Sequence, residues 1–380
     1  MNIYSRDDER NIRVERLVRD WNKSGLIADA QCDRMLPDLK VDLRRTNLWL
    51  RLTLFVFSFV IVNAAAGLIG VTFQPRDQAL GWFALVGAVI CFAAAHWIVS
   101  SYRLYHFGVE EGVTIAGVGL FVIAGALMFL DRFATIYAFA AAAIASFVVF
   151  RRFGYVYAGV AAIVFATFFI FDLEQSDTFR RLFSAVLLLT VFFFSRERRQ
   201  DHDWDFPGDT YAILETVARG GLYFITNLKI TTWFSLPDEV RVFYWATYAL
   251  IWLLPIAGLW LAIRDRHRWM LDLNIVMLLV TLSTNKPYLG VAQKPWDPIV
   301  FGVMLIVVSL VLRRWIANGP DGSRKGFVAH RLLESEKAKL SLAGTATVFA
   351  PGAPPPTAKE PPPPSFGGGR SGGGGASGSF

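Results

Sequence analysis

Long apolar runs recur along most of this chain, and they constrain its fold more than any other feature. Nine of the runs approach the roughly 20 residues that a helix needs to cross the hydrocarbon core of a bilayer. They are Leu52–Phe73, Leu80–Ser100, Val113–Leu130, Phe133–Phe150, Tyr155–Phe171, Phe179–Ser195, Val240–Ile263, Trp269–Thr284 and Pro298–Ile316. Such runs need lipid around them, so residues 48–316 are predicted to form an all-α polytopic bundle of transmembrane helices.

Links and composition agree with this prediction. Asp131-Arg132 and Arg151-Arg152 are links too short for a crossover, so neighbouring helices are predicted to be antiparallel. Hydrophobic residues make up 54% of the chain. The net charge of +7 does not indicate a nucleic-acid partner, because Lys and Arg lie mainly between the apolar runs, where they orient helices in the bilayer.

Basic residues also predict the orientation of the chain. Ten lie before the first run or in the even-numbered links, and four lie in the odd-numbered links. The ten are Lys40, Arg44, Arg45, Arg51, Arg103, Arg151, Arg152, Arg196, Arg198 and Arg199; the four are Arg76, Arg132, Arg180 and Arg181. Because basic links favour the cytoplasmic side, the N-terminus is predicted to be cytoplasmic.

The segment Tyr211–Leu228 decides between nine and ten spans. Basic groups after the runs that end at Ile263 and Ile316 both favour the cytoplasm, and a tenth crossing places both there. Glu215 and Arg219 lie at i, i+4, where they can neutralise each other within a crossing or re-entrant helix. Alternatively, the segment lies in the membrane interface with an apolar face towards lipid. That face consists of Leu214, Val217 and Ala218.

The two ends of the chain differ from its middle. Residues 1–47 are predicted to form a cytoplasmic hairpin of two short amphipathic helices, with Pro37 interrupting the second. Val14, Leu17, Val18 and Trp21 form the apolar face of the first helix. The hairpin either rests on the membrane bundle or docks a protein partner. Residues 317–380 are rich in Pro and Gly, which predicts a disordered tail that can also recruit partners.

A polar stripe marks the eighth apolar run. Asn274, Thr281 and Asn285 lie at i, i+7 and i+11, with Thr284 beside them and Asp272 one turn further out. Polar groups at membrane depth are costly unless they are paired, so each is a functional hypothesis. The stripe either lines a hydrated pathway or provides hydrogen bonds between helices.

Two groups of residues are candidates for metal ligands. His106 and Glu110 could reach one ion if a helix continued through Gly108. The densest acidic stretch supplies His202, Asp203 and Asp205. Neither group completes a known ligand set, so a helix N-terminus with acidic residues and a solvated loop are the favoured interpretations. No cofactor is predicted.

The string Leu17–Ile27, which reads LVRDWNKSGLI, resembles the opening of bacterial multi-pass membrane protein families that have no assigned activity. Those families place a helix, a Gly-Leu-Ile turn and a second helix before a bundle of many spans. The resemblance implies location in the bacterial inner (cytoplasmic) membrane and this topology. The Gly/Ser-rich tail ending at Phe380 is similar to tails of various bacterial envelope proteins and implies no chemistry.

Three functional hypotheses follow from the sequence. The leading one is a non-enzymatic small-solute transporter or channel-like protein, based on the polar stripe and on Tyr211–Leu228. A membrane-embedded enzyme would use the acidic stretch and His106 at the cytoplasmic face. A scaffold would recruit partners through the hairpin or the tail. The transporter hypothesis requires a polar cavity that includes Asn274 and Thr281.

Overall fold

Each of the nine apolar runs forms a helix in the computed structural model. The structure describes residues 3–23, 26–75, 78–129, 133–201, 207–230, 241–265, 267–291, 294–319, 323–324 and 327–328, all within one compact unit, Met1–Ala329. Its helices are α1 (Arg6–Lys23), α2 (Asp29–Met35), α3 (Leu48–Phe73), α4 (Gln78–Tyr102), α5 (Val109–Met128), α6 (Ala134–Phe153), α7 (Val156–Phe171), α8 (Asp177–Asp201), α9 (Pro207–Thr226), α10 (Arg241–Arg264), α11 (Arg268–Tyr288) and α12 (Asp297–Ala317). A 3-10 turn, Pro37–Leu39, follows α2 where Pro37 was predicted to interrupt the helix.

Six helices in the described part of the chain are long and apolar enough to cross a membrane. They are α3, α4, α5, α6, α8 and α10. The helix α7 is equally apolar but has only 16 residues. The predicted all-α helical bundle is therefore confirmed, because these lengths at about 1.5 Å per residue match a bilayer core of about 30 Å.

Contacts at small residues show that consecutive helices are antiparallel, as predicted. Gly81, at the start of α4, lies beside Met128 at the end of α5. Gly125, near the end of α5, approaches Tyr137 at the start of α6. The helix α6 then ends at Gly154, whose φ of 72° lies in the left-handed region that glycine adopts at little cost.

The N-terminal helix α1 packs onto the bundle. The Tyr4 and Tyr105 rings meet edge to face with centroids 4.9 Å apart. Ile12 and Val18 are buried, and Arg45 forms an ion pair of 2.6 Å with Glu15. Leu17 and Trp21 of the predicted apolar face remain about 40% exposed. The prediction of that face was therefore only partly right, since Ile12 provides an anchor that it did not include.

The helix α9 is a member of the bundle. Its 20 residues pack against α8, α7, α11 and α10. Leu214 and Ala218 are buried among these helices, so the alternative that placed them towards lipid in the interface is wrong. Arg181 of α8 is also buried and donates 2.7 Å to the Ile225 carbonyl near the C-terminal end of α9. A cation there complements the helix dipole.

Beyond α12 the structure describes one small element. Strands β1 (Ser323–Arg324) and β2 (Phe327–Val328) form an antiparallel pair. Residues 329–380 of the predicted disordered tail lie outside the described residues.

Candidate functional site

The polar stripe of α11 faces other helices. Asn274 and Thr281 are completely buried, Thr284 is nearly so, and Asn285 accepts a hydrogen bond of 2.9 Å from Tyr248. Asp272 does not belong to the stripe: its side chain is exposed. The prediction for Asp272 was wrong because a position two residues before Asn274 lies on the opposite side of a helix.

Thr281 bonds to a carbonyl of α10 that lacks a partner within its own helix. Pro255 in α10 has no N–H, so the carbonyl of Ile251 loses its partner within the helix. The Thr281 hydroxyl donates to that carbonyl at 2.8 Å. The Thr281 oxygen lies 2.7 Å from the Tyr223 hydroxyl of α9, so one side chain joins three helices.

Asn274 makes a second connection between the same helices. Its Oδ1 accepts a hydrogen bond of 3.1 Å from Nε of Arg219. Arg219 also donates to the Leu254 carbonyl, beside Pro255, and its guanidinium lies 5.6 Å from the Phe192 ring centroid. This arrangement leaves no room for a side chain on α10, because a Cβ at position 258, where Gly258 stands, would lie 1.9 Å from Asn274 Oδ1.

Glu215 pairs with a residue of another helix. Its Oε2 accepts a hydrogen bond of 2.7 Å from Nε of Arg199 in α8. The predicted neutralisation within α9 is therefore wrong in its partners: Arg219 bonds to Asn274 and Leu254 instead. Tertiary packing brings a cation closer to Glu215 than the i, i+4 spacing does.

A charged cluster surrounds this pair where α8 and α10 end and α11 begins. Arg196 forms an ion pair of 2.6 Å with Asp265. The His267 ring lies 4.0 Å from Glu215, and its Nδ1 accepts a hydrogen bond of 3.0 Å from the Met270 amide. Burial, together with the positive charge of Arg199, lowers the pKa of His267 to about 4, so its ring is neutral at neutral pH.

The polar network continues towards the C-terminal end of α9. The Asn227 amide donates 3.1 Å to the Tyr223 hydroxyl and 3.0 Å to Thr284. The Leu228 amide donates 2.7 Å to the Tyr288 hydroxyl. The predicted stripe thus serves hydrogen bonding between helices, and its residues line neither of the two cavities described below.

Thr281→Val tests this network. Valine has the same shape but leaves the buried Ile251 carbonyl without a partner, so we expect a loss of about 1–3 kcal/mol in the free energy of unfolding. Denaturant titration of purified protein would measure it. Thr190→Val is the matched control, because that hydroxyl is exposed and bonds only within its own helix. Equal losses in the two variants would contradict the assigned role of Thr281.

The predicted metal candidates His106 and Glu110 do not converge. The helical backbone is interrupted before α5, because His106 and Gly108 have φ of 49° and 108°. His106 and Glu110 therefore do not share a helix. His106 Nδ1 lies 3.0 Å from Glu111, whereas Glu110 accepts a hydrogen bond of 2.7 Å from the Phe107 amide. Among the described residues no three His, Cys, Asp or Glu side chains gather around one point. His202, Asp203 and Asp205 lie outside that part.

Four arginines line a cavity of about 470 Å³ at the α1 end of the bundle. They come from separate segments: Arg16 from α1, Arg45 from the segment before α3, Arg51 from α3 and Arg151 from α6. One carboxylate, Glu9, lies with them. We call this space the arginine cavity. Its excess of cations makes it suited to an anion.

Two of these arginines are already paired. Arg45 binds Glu15, and Arg51 forms a two-pronged pair with Glu111, with one nitrogen also 3.2 Å from His106. Arg16 and Arg151 form no ion pair with any described residue. They are thus the two guanidinium groups available for a bidentate contact with a carboxylate or phosphate.

The N-terminal ends of three helices add to the positive potential of the arginine cavity. The first turns of α3, α7 and α9 contribute Leu48, Val156, Tyr157 and Thr210 to the lining. N-terminal turns carry partial positive charge and unpaired N–H groups, which favour anions.

Tyr105 supplies an unused hydrogen-bond donor at the same place. It lines the arginine cavity and is only 5% exposed, yet its hydroxyl has no partner among the residues that the structure describes. Burial and the nearby Glu9 raise the pKa of Tyr105 well above its usual range, so the hydroxyl keeps its proton. A buried donor without a partner is costly and favours a ligand that accepts from it.

Sequence reasoning found only part of this site. His106 lines the arginine cavity, whereas its spacing in the sequence predicts only a metal ligand. In the sequence, Arg45, Arg51 and Arg151 predict only the orientation of the chain, and no pattern distinguishes Arg16 or Tyr105. The available signal was the density of arginine at one membrane face, which does not show which side chains converge.

The fold and the arginine cavity define a class: the chain is a multi-pass helical membrane protein with a cationic cavity at one end of its bundle. No family model matches the chain, and no curated protein or solved structure is detectably similar to it.

Proposed function

We propose that this protein transports a small anionic solute that carries a carboxylate or phosphate group, and that the solute binds first in the arginine cavity. We place the protein in the bacterial inner membrane with the cavity at the cytoplasmic face. The distribution of arginines and the resemblance of Leu17–Ile27 to bacterial membrane protein families support this placement.

The observation that carries the proposal is a series of buried polar side chains along α9. Tyr211 lines the arginine cavity, and polar side chains then recur at every fourth position to the far end of the helix. These are Glu215, Arg219, Tyr223 and Asn227, and all four are buried. Polar residues at each turn of a buried helix in a membrane bundle typically mark a solute or ion pathway.

In the described conformation this pathway is closed. Asn274 and Thr281 line neither cavity, so the polar cavity that the sequence-based transporter hypothesis required is not open here. The side chains of the pathway bond to α8, α10 and α11 instead of lining an open space. Transport therefore needs a second conformation in which the bonds between α9 and α8 exchange for bonds to solute or water.

Binding tests the first step. In phosphatidylcholine nanodiscs, the double variant Arg16→Gln, Arg151→Gln is expected to bind inorganic phosphate or succinate at least about tenfold more weakly, because each charged hydrogen bond contributes about 1.5–3 kcal/mol. Equilibrium dialysis with radiolabelled anion would measure the affinity. Uptake of the same anion into proteoliposomes should fall in parallel.

The matched control is Arg10→Gln, Arg152→Gln. It removes the same charge from the same two helices, but Arg10 and Arg152 do not line the arginine cavity, and Arg152 contacts His96. The control is expected to bind like the wild type. Equal losses in both double variants would show that only net charge matters and would overturn the proposal.

A further inference from the structure

A second cavity lies further along α7 and α9, two of the helices that line the arginine cavity. Its volume is about 400 Å³, and α7, α8 and α9 line it with residues such as Ile163, Leu188 and Val217. We call it the apolar groove. Thr167 is the polar side chain in its lining, and its hydroxyl already donates 2.8 Å to the Ile163 carbonyl. The lining therefore offers a hydrocarbon surface without free side-chain hydrogen-bonding groups.

The two cavities are displaced equally along both helices. On α7 the arginine cavity reaches Tyr157 and the groove extends from Ile163 to Phe171; on α9 the corresponding positions are 211 and 217–225. Both offsets are 6 to 14 residues, or about 9–21 Å at 1.5 Å per residue. Gly159 lies beside Leu214, so the two helices are neighbours. Because the cavities occur in the same order along both, α7 and α9 run in the same direction.

One packed apolar cluster lies between the two spaces. Phe150 and Tyr211 line the arginine cavity, and their rings meet edge to face at 6.4 Å. Both pack against the buried cluster that includes Ile163 and Leu188 of the groove. The arginine cavity is thus followed along α7 and α9 by the apolar groove. The distance between them is comparable to the depth of one leaflet of a bilayer with a core of about 30 Å.

We propose that the anionic ligand is an amphiphile, a long-chain phosphate or carboxylate, whose head binds in the arginine cavity and whose hydrocarbon chain lies in the apolar groove. This rests on the proposed function, because it specifies the chemical class of the same ligand. Arg16, Arg151 and the Tyr105 hydroxyl bind the head, and the groove selects for the chain by excluding its surface from water.

The experiment is competition against radiolabelled dodecyl phosphate on the protein in phosphatidylcholine nanodiscs, with empty nanodiscs subtracted. Dodecyl phosphate is expected to compete at a concentration at least about tenfold lower than inorganic phosphate, and dodecanol is expected not to compete. Val217→Trp, which fills the groove, is expected to remove the advantage of dodecyl phosphate over inorganic phosphate. Val164→Trp, at the exposed rim of the groove, provides a second variant if the first misfolds.

Val186→Trp is the matched control, since Val186 is exposed on α8 outside the groove lining, and it should leave both affinities unchanged. The amphiphile inference is overturned if inorganic phosphate competes as well as dodecyl phosphate, or if dodecanol competes equally. Equal competition by inorganic phosphate would still leave the proposed binding of anions intact. If no anion competes and Arg16→Gln, Arg151→Gln changes nothing, the proposed function fails as well.

Discussion

Replacing Glu215 with leucine is expected to cost about 3–5 kcal/mol in the free energy of unfolding, because it leaves a buried arginine without its counter-ion. Glu215 is only 2% exposed and is hydrogen-bonded to Arg199, which is itself buried. The remaining acidic group near Arg199 is Asp265, 3.5 Å away and already paired at 2.6 Å with Arg196. Denaturant titration of the purified protein would measure the loss.

Two further variants separate charge pairing from size. Glu197→Leu makes the same change at an exposed position of α8 and is expected to have little effect. The double variant Glu215→Leu, Arg199→Met is expected to recover much of the lost stability, because both buried charges are then absent. If the double variant were no more stable than Glu215→Leu alone, the unpaired charge of Arg199 would not be the cause of the lost stability.

Gly108→Ala is expected to have an effect of similar size, about 3 kcal/mol or more, for two reasons that add. The φ of Gly108 is 108°, which residues with a Cβ rarely adopt. An added Cβ would also lie 2.2 Å from the backbone oxygen of Arg51, and two backbones cannot move apart as a side chain can. Because Arg51 lines the arginine cavity, anion binding should weaken in the same variant.

Gly290→Ala separates the two causes. Gly290 also has a positive φ, 71°, but no atom would lie within 4 Å of its added Cβ. It should show only the strain, about 1 kcal/mol. Midpoints of thermal unfolding and phosphate affinities of both variants would be compared. If Gly108→Ala lost no more stability than Gly290→Ala, the close approach to Arg51 would not matter.

Local patterns predicted the helices well because hydrophobic length and helix breakers act locally. The run Leu52–Phe73 became α3, Leu48–Phe73, and Pro37 begins a new turn as expected. Helical spacing also predicted that Asn274 and Thr281 share one face of the helix, and both are buried in the structure.

Partners across helices could not be predicted in the same way. Glu215 and Arg199 lie on different helices, and no spacing rule specifies how α8 and α9 are rotated against each other. The arginine cavity is harder still, since its four arginines come from four separate segments. His106 and Glu110 were misplaced because the left-handed backbone at His106 and the positive φ of Gly108 separate them.

The proline inside α10 has a consequence for how the molecule can move. Two carbonyls of α10 near Pro255 accept hydrogen bonds from Thr281 of α11 and Arg219 of α9, and Asn274 joins those two helices again. Tilting any one helix breaks several of these bonds together, whereas tilting all three as a group breaks none. We therefore expect α9, α10 and α11 to move together as one rigid body. Any alternation between two sides of the membrane would then occur by sliding at its contacts with α7 and α8.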